Sequence, residues 1–273
     1  MDTEIIITGA SGTIGRRLLL NLKGKNVLGT SRSKSNESLI NIVNNYDAMP
    51  SGKILVHLAE ERDKNIANQL GKKYVKEITN QMTRLIDKGF EKIIYASSAL
   101  VYLGGKNRIH STNETLTPYD YYTEAKLINE EKVKSANGLI ARISNIISDN
   151  ISTGVLMDII KGFEKGPAIT LNNTKPVRDF ICIDDVVNCL TKMVENENKG
   201  IFNIGTGKGT NIEGLAELVA KIMGIHDPKI SSRKQKPHSQ STIILDISST
   251  QKAFGWSPKQ DISCCLKELI ATL

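Results

Sequence analysis

The sequence predicts an α/β fold, a doubly wound parallel sheet with a smaller C-terminal region interleaved with it. Three observations carry this. Strand and helix patterns alternate along the chain. The strands are short, near-continuous apolar runs, as expected of a parallel sheet covered by helices on both faces. The first of them leads straight into a glycine-rich turn that opens a helix.

Residues 4 to 8 form the first β-branched run, and Arg16 to Leu22 reads as a helix stopped by Gly24. Asn26 to Thr30, Lys53 to Ala59, Lys92 to Ser97 and Gly138 to Ile143 are further strands. Between the third and fourth of these five lies one long helical stretch, roughly Ile66 to Lys88, closed by Gly89. Residues 119 to 134 read as another helix. Beyond residue 145 the pattern loosens around Gly162, Gly166 and Pro167. Phe180 to Ile183 is a strand, Asp184-Asp185 starts a helix, and Gly200 to Gly205 is a strand again. Thr210-Asn211-Ile212-Glu213 reads as a capping box opening a helix to Met223. The segment from Ser33 to Ser51 has no assignable element. Residues 1–145 are thus expected to form one half, and 146–273 mainly a second region interleaved with it.

A chain of 273 residues is long enough for a large core. No apolar run approaches the ~18 residues of a membrane span, and the acidic start Met1-Asp2-Thr3-Glu4 does not read as a signal peptide. Cys182, Cys189, Cys264 and Cys265 form no Cys-x-x-Cys pair. Reduced thiols, a cytoplasmic location and no metal site are therefore expected. The net charge is +7, but the lysines are dispersed. The densest basic stretch, Ser231 to Lys236, lacks the interleaved aromatics of a nucleic-acid surface. The bias suits small, phosphate-bearing substrates.

Two constellations carry chemistry. In Gly9-Ala10-Ser11-Gly12-Thr13-Ile14-Gly15 the glycines stand between a strand and a helix. Their roles there are a tight turn, close backbone approach to a pyrophosphate, and close helix–strand packing, the mark of a Rossmann-type dinucleotide site. The second predicted strand ends Gly29-Thr30-Ser31-Arg32-Ser33, without the carboxylate that would bind a ribose 2′-hydroxyl. Arg32, with Ser31 and Ser33, can instead pair with a 2′-phosphate, which favours NADP over NAD. About a hundred residues on, Tyr122 and Lys126 share one helix face. An ammonium beside a phenol eases proton exchange near neutral pH. Ser97 and Ser98 close the strand before them, at the carboxyl edge where open sheets bind ligands.

Together these residues resemble the extended short-chain dehydrogenase/reductase family, in its nucleotide-sugar branch of epimerases and dehydratases. Thr8 to Gly15 matches the family's Thr-Gly-x-x-Gly-x-x-Gly, and His57-Leu58-Ala59 its cofactor-lining strand end. Ser97-Ser98-Ala99-Leu100-Val101-Tyr102 matches Ser-Ser-x-x-Val-Tyr, which implies Ser98 as the catalytic serine. Tyr122 and Lys126 match the family's Tyr-x-x-x-Lys pair. The resemblance further implies substrate contacts from Asn145, from Arg178 and from Lys236, whose ammonium replaces a frequent Arg. A homodimer through the two long helices is implied too. Leu103 before Gly104 departs from the family pattern, and the chain is short near residues 33 to 52.

The resemblance leaves three chemistries. Dehydratases carry an acid after the catalytic Ser or Thr, and here Ala99 and Leu100 follow. Epimerase-reductases use a Cys near the serine, and no Cys precedes residue 182. Hydride transfer at one carbon remains, as 4-keto reduction of a nucleotide sugar or, second, as 4-epimerisation with tightly held NAD. A reading of another class, a dinucleotide-binding regulatory or scaffold protein, conflicts with the intact Tyr-x-x-x-Lys pair.

Overall fold

The computed structural model describes residues 4–32, 40–43, 45–61, 63–105, 108–149, 153–233 and 241–273. In chain order the first half holds β1 (Ile5–Thr8), α1 (Thr13–Asn21), β2 (Val27–Ser31), β3 (Ile40–Ile42), β4 (Ile54–His57), α2 (Lys64–Leu70), α3 (Lys72–Ile86), β5 (Lys92–Ser98), β6 (Ile109–His110), α4 (Tyr121–Ser135) and β7 (Leu139–Ile143). The remainder holds β8 (Asn145–Ile147), α5 (Val155–Phe163), β9 (Ala168–Leu171), β10 (Val177–Cys182), α6 (Ile183–Val194), β11 (Gly200–Ile204), β12 (Gly209–Asn211), α7 (Ile212–Ile222), β13 (Lys229–Ser232), β14 (Thr242–Leu245), α8 (Ser248–Phe254) and α9 (Ile262–Ala271). A short 3-10 turn, Ala99–Tyr102, follows β5.

The principal sheet runs β11-β7-β5-β4-β1-β2-β3, every neighbour parallel. The doubly wound parallel fold expected from the sequence is what the chain forms. Period-two alternation gives β1 two buried faces. Ile5 and Ile7 of β1 join the core that holds Leu18 and Leu19 of α1 and Val186 of α6. Ile6, between them, joins Met82 and Leu85 of α3 and Val133 of α4. After β3 the chain crosses back past β1 to β4. The carboxyl ends of β1 and β4 therefore meet at the point where strand order reverses, the place where such sheets leave a ligand crevice.

The later strands build a smaller sheet, β12-β10-β14-β6, with β8 pairing β10, and β13 pairs β9. A second core of α5, α7 and α9 side chains, including Ile160, Leu215 and Leu266, lies there. β11 returns to the principal sheet and β6 leaves the first half to join the second, so the two halves are threaded through one another.

Three expectations are corrected. The single helix from Ile66 to Lys88 is two helices, broken at Gly71, whose φ of +60° the helix cannot accommodate. The capping box at Thr210 is not formed: Asn211 is the N-cap, and its side chain accepts from Gly214 N at 2.6 Å. Cys182 and Cys265 are joined in a disulfide, with Cα atoms 6.1 Å apart, so the four thiols are not all free. The bridge ties β10 to α9, while Cys189 is buried and Cys264 exposed.

Candidate active site

The glycine turn lies at the switch point. A Cβ on Gly15 would stand 2.7 Å from Ala10 Cα, so only glycine lets α1 start this close to its strand. Thr13 and Ile14 open α1, whose N-cap, Gly12, offers no side-chain cap. Unpaired N–H groups at such an end attract phosphate. Gly9, Gly12, Ser31, Arg32, Leu58 and Ala59 line one small cavity here. Ser11 Oγ lies 2.6 Å from Ser31 Oγ, bridging the turn to β2. These residues suit a dinucleotide, which the backbone of the glycine turn and the Arg32 side chain would help to hold. Ser33 and Lys236 lie outside the described residues.

Tyr122 sits in the first turn of α4, and the sequence holds that turn in place. Asp120 and Thr123 cap it reciprocally: Asp120 Oδ1 accepts from Thr123 N and Thr123 Oγ1 from Asp120 N, both at 2.9 Å. Asn68 of α2 clamps the same end, donating to Asp120 Oδ2 and accepting from Tyr122 N, each at 3.0 Å. One turn on, the Lys126 ammonium is 5.8 Å from the centre of the Tyr122 ring and donates to the Ala96 carbonyl at 2.9 Å. Ser98 Oγ accepts from Leu100 N at 3.2 Å, which leaves its hydrogen free to donate. Leu100 in turn packs against the cluster that holds Tyr122. The carboxyl edge of β5 and the start of α4 thus bring Ser98, Tyr122 and Lys126 to one region.

Ser97, adjacent to Ser98 on the strand, points the other way and gives its hydrogen to Glu130 Oε1 at 2.5 Å. Glu130 takes a bidentate pair from Arg142 of β7, at 3.1 Å from Nε and 2.6 Å from Nη2. Arg142 Nη1 reaches Tyr102 Oη at 3.0 Å, and that hydroxyl donates to Asn203 at 2.8 Å. Burial opposes the Arg142 charge, but Glu130 outweighs it and holds the guanidinium well above its ordinary pKa.

In the second region Asn145 and Arg178 are bonded to the protein itself. Asn145 of β8 donates to the Asp179 carbonyl at 3.1 Å. Arg178 of β10 is engaged by Ser241, with Nη1 on its carbonyl and Nη2 on its hydroxyl, each at 2.8 Å. Neighbouring Asp179 is fully buried and accepts from Thr206 N at 2.8 Å and Gly207 N at 3.0 Å. Burial nevertheless raises its pKa. A groove of about 1110 Å³ runs beside α4 past Leu127, Glu131 and Ile201. Neither the glycine turn nor Tyr122 lines it.

Sequence reading missed Glu60, two residues after Leu58, and with it a buried ion pair of the centre. Its Oε2 lies 2.7 Å from Lys126 Nζ and accepts from Tyr95 Oη at 3.0 Å, and its Oε1 accepts from Asn129 at 2.9 Å. Burial alone would raise the Glu60 pKa, but Lys126 and the other donors win and lower it. Lys126 behaves reciprocally: burial opposes its charge, Glu60 more than restores it, and its pKa rises. A carboxylate immediately beyond a strand that ends at the switch point was the available signal.

His57, 2% exposed, is held by Thr8 Oγ1 at 2.7 Å, and burial takes its pKa down to about 4 against an ordinary 6.5. Between those values the unfolded chain binds the proton and the folded one does not. The contribution is therefore complete above about 6.5 and is lost as pH falls, at roughly 1.4 kcal/mol per pH unit. Urea unfolding at about pH 7 and 5.5 should show a loss of roughly 1–2 kcal/mol at the lower pH. A His57→Asn protein should lose most of that difference, and an unchanged difference would place its origin elsewhere.

An archaeal protein from Methanocaldococcus jannaschii, described as a putative UDP-glucose 4-epimerase, is 28% identical over 202 residues, 70% of this chain and 65% of its own length. The dTDP-4-dehydro-6-deoxyglucose reductase of Escherichia coli is 27% identical, over 69% of this chain and 63% of its own. The chain thus spans just under two thirds of the length of these two relatives. In fold it superposes on a UDP-glucose 4-epimerase solved with UDP-glucose from Thermotoga maritima, TM-score 0.84, at 21% identity and covering 98% of both chains. MoeE5, solved with UDP-glucose and NAD, gives a TM-score of 0.85 at 19% identity and 98% of both chains. With its residues 5–205 matching the family profile, the chain belongs to the NAD dependent epimerase/dehydratase family.

Proposed function

We propose that the chain is an NAD(P)-dependent oxidoreductase that reduces a 4-keto nucleoside-diphosphate sugar. The observation that carries this is the meeting of Ser98, Tyr122 and Lys126 at the carboxyl edge beside the glycine turn. The nicotinamide, when bound, supplies the hydride. Tyr122 gives its proton to the carbonyl oxygen, and the free Ser98 hydrogen orients that oxygen. Lys126 uses one N–H on Ala96 and one on Glu60, and its third remains for a ribose hydroxyl. In this reading residues 1–145 bind the dinucleotide, and Asn145, Arg178 and Lys236 face the sugar nucleotide. A homodimer over the exposed apolar residues Ile66 and Leu70 of α2 and Ile128 of α4 belongs to the same proposal.

Reduction is preferred because the end of β2 presents Ser31 and Arg32, not a carboxylate, to the cavity. That suits an exchangeable NADP. On nucleotide-free protein, fluorescence titration should show NADPH binding more tightly than NADH. Arg32→Ala should erase a preference of roughly 10–100-fold, the loss of a charge-assisted contact worth about 1.5–3 kcal/mol. Epimerisation is the second reading, favoured by relatives described as epimerases, among them a putative UDP-arabinose 4-epimerase of Arabidopsis thaliana, 23% identical over 94% of this chain and 76% of its own length. NAD that resists removal, with sugar epimers interconverted and no net NADPH oxidation, would decide for it.

A further inference from the structure

A buried ion pair is a poor source of stability, because desolvation offsets most of its attraction and a packed apolar pair of the same volume serves as well. Glu60 and Lys126 form such a pair, with side chains 4% and 7% exposed. Glu60 is not a passive wall residue, for it gathers three partners from two elements: Tyr95 of β5, and Asn129 and Lys126 of α4. It also lines the cavity of the glycine turn. The other titratable groups set against it are His57 of β4, Tyr74 of α3, and Tyr46 before β4, itself beside Arg32, while Tyr122 and Glu130 of α4 act on Lys126. His57 is uncharged near neutral pH, and Glu130 is matched by Arg142. The Lys126 charge is thus answered by Glu60. Tyr74 marks the same place: its hydroxyl is buried with no hydrogen-bond partner, beside Glu60 and Tyr122.

We propose that Glu60 is a positioning residue of the catalytic pair: it pins the Lys126 ammonium against the Ala96 carbonyl and cancels its charge, so that Tyr122 keeps its proton until a substrate oxygen takes it. An ammonium without a counter-ion would draw the phenol towards phenolate. A neutralised one leaves it the donor that a reduction requires. This deepens the reading of Tyr122 and Lys126 as the catalytic pair and rests on it.

The test needs neither cofactor nor turnover. Phenolate formation is followed by ultraviolet difference absorbance on the nucleotide-free protein, and the Tyr122 component is the part lost in Tyr122→Phe. In Glu60→Gln its midpoint should move down by roughly one pH unit, a tenfold larger acid constant. In Glu60→Asp, which keeps the charge, it should stay near the parent value. The doubly neutral Glu60→Gln/Lys126→Met protein retains shape without stranding a charge and should also titrate near the parent. It answers the question if the single variant does not fold. An unmoved midpoint in Glu60→Gln, or a double variant far from the parent, overturns the proposal. Failure of the catalytic reading shows separately, as undiminished turnover in Tyr122→Phe.

Discussion

Tyr122→Phe should lower turnover by roughly 10²–10⁴-fold, the usual worth of a positioned general acid, and leave the fold intact. The substitution removes one oxygen from a ring that is 6% exposed and packed with Ala67, Val75 and Ile78. Phe fills the same space. The cap by Asp120 and the clamp by Asn68 engage the backbone and not the phenol, so α4 keeps its start. Cofactor affinity should change little. The measurement is NADPH oxidation with 4-keto nucleotide sugars, paired with a thermal unfolding midpoint. Lys126→Ala is the less informative variant. It strands Glu60 as a buried, unpaired carboxylate, a defect worth about 3–5 kcal/mol, so lost activity would be mixed with lost stability. A Tyr122→Phe protein that folds, binds dinucleotide and retains its cellular effect would move the reading to a dinucleotide-binding regulator.

Much of this centre is visible in the sequence because local rules place it. The glycine turn needs only a strand, its spacing and a helix, and Gly15 is there because no other residue fits against Ala10. Tyr122 and Lys126 share a face by helical period alone. The same period extends to Glu130, one further turn along α4, which shows as a stripe of three polar residues. What the period does not show is its partner. Arg142 comes from β7 and Ser97 from β5, and these meet Glu130 only when parallel strands lie side by side. Glu60 is hidden for the same reason: its donors come from two other elements. The break at Gly71 was missed because a helical apolar pattern continues on both sides of it, while the positive φ is a backbone fact that pattern does not carry. The Cys182–Cys265 bridge spans 83 residues, and no spacing rule reaches that far.

Arg142→Ala should destabilise the protein by about 3–5 kcal/mol, and so should Glu130→Ala, since each leaves the other charge buried without a partner. The side chains are 4% and 3% exposed, so each charge relies on the other and not on bulk water. The two variants should not add. Arg142→Met/Glu130→Leu removes both charges and refills the space, and is expected within roughly 1–2 kcal/mol of the parent. Some cost remains, because Ser97 and Tyr102 each lose a hydrogen-bond partner. Urea unfolding of the parent, both single variants and the double variant closes the cycle. Near-additive losses would mean that the pair contributes through separate contacts and not as a unit. The location of the pair gives the result a functional edge. It joins α4, which carries Tyr122 and Lys126, to β7, and through Ser97 to the end of β5, which carries Ser98. A double variant that is stable but slow would show that this buried link holds the serine and the tyrosine in register, and that the ion pair is kept for geometry where stability alone does not require it.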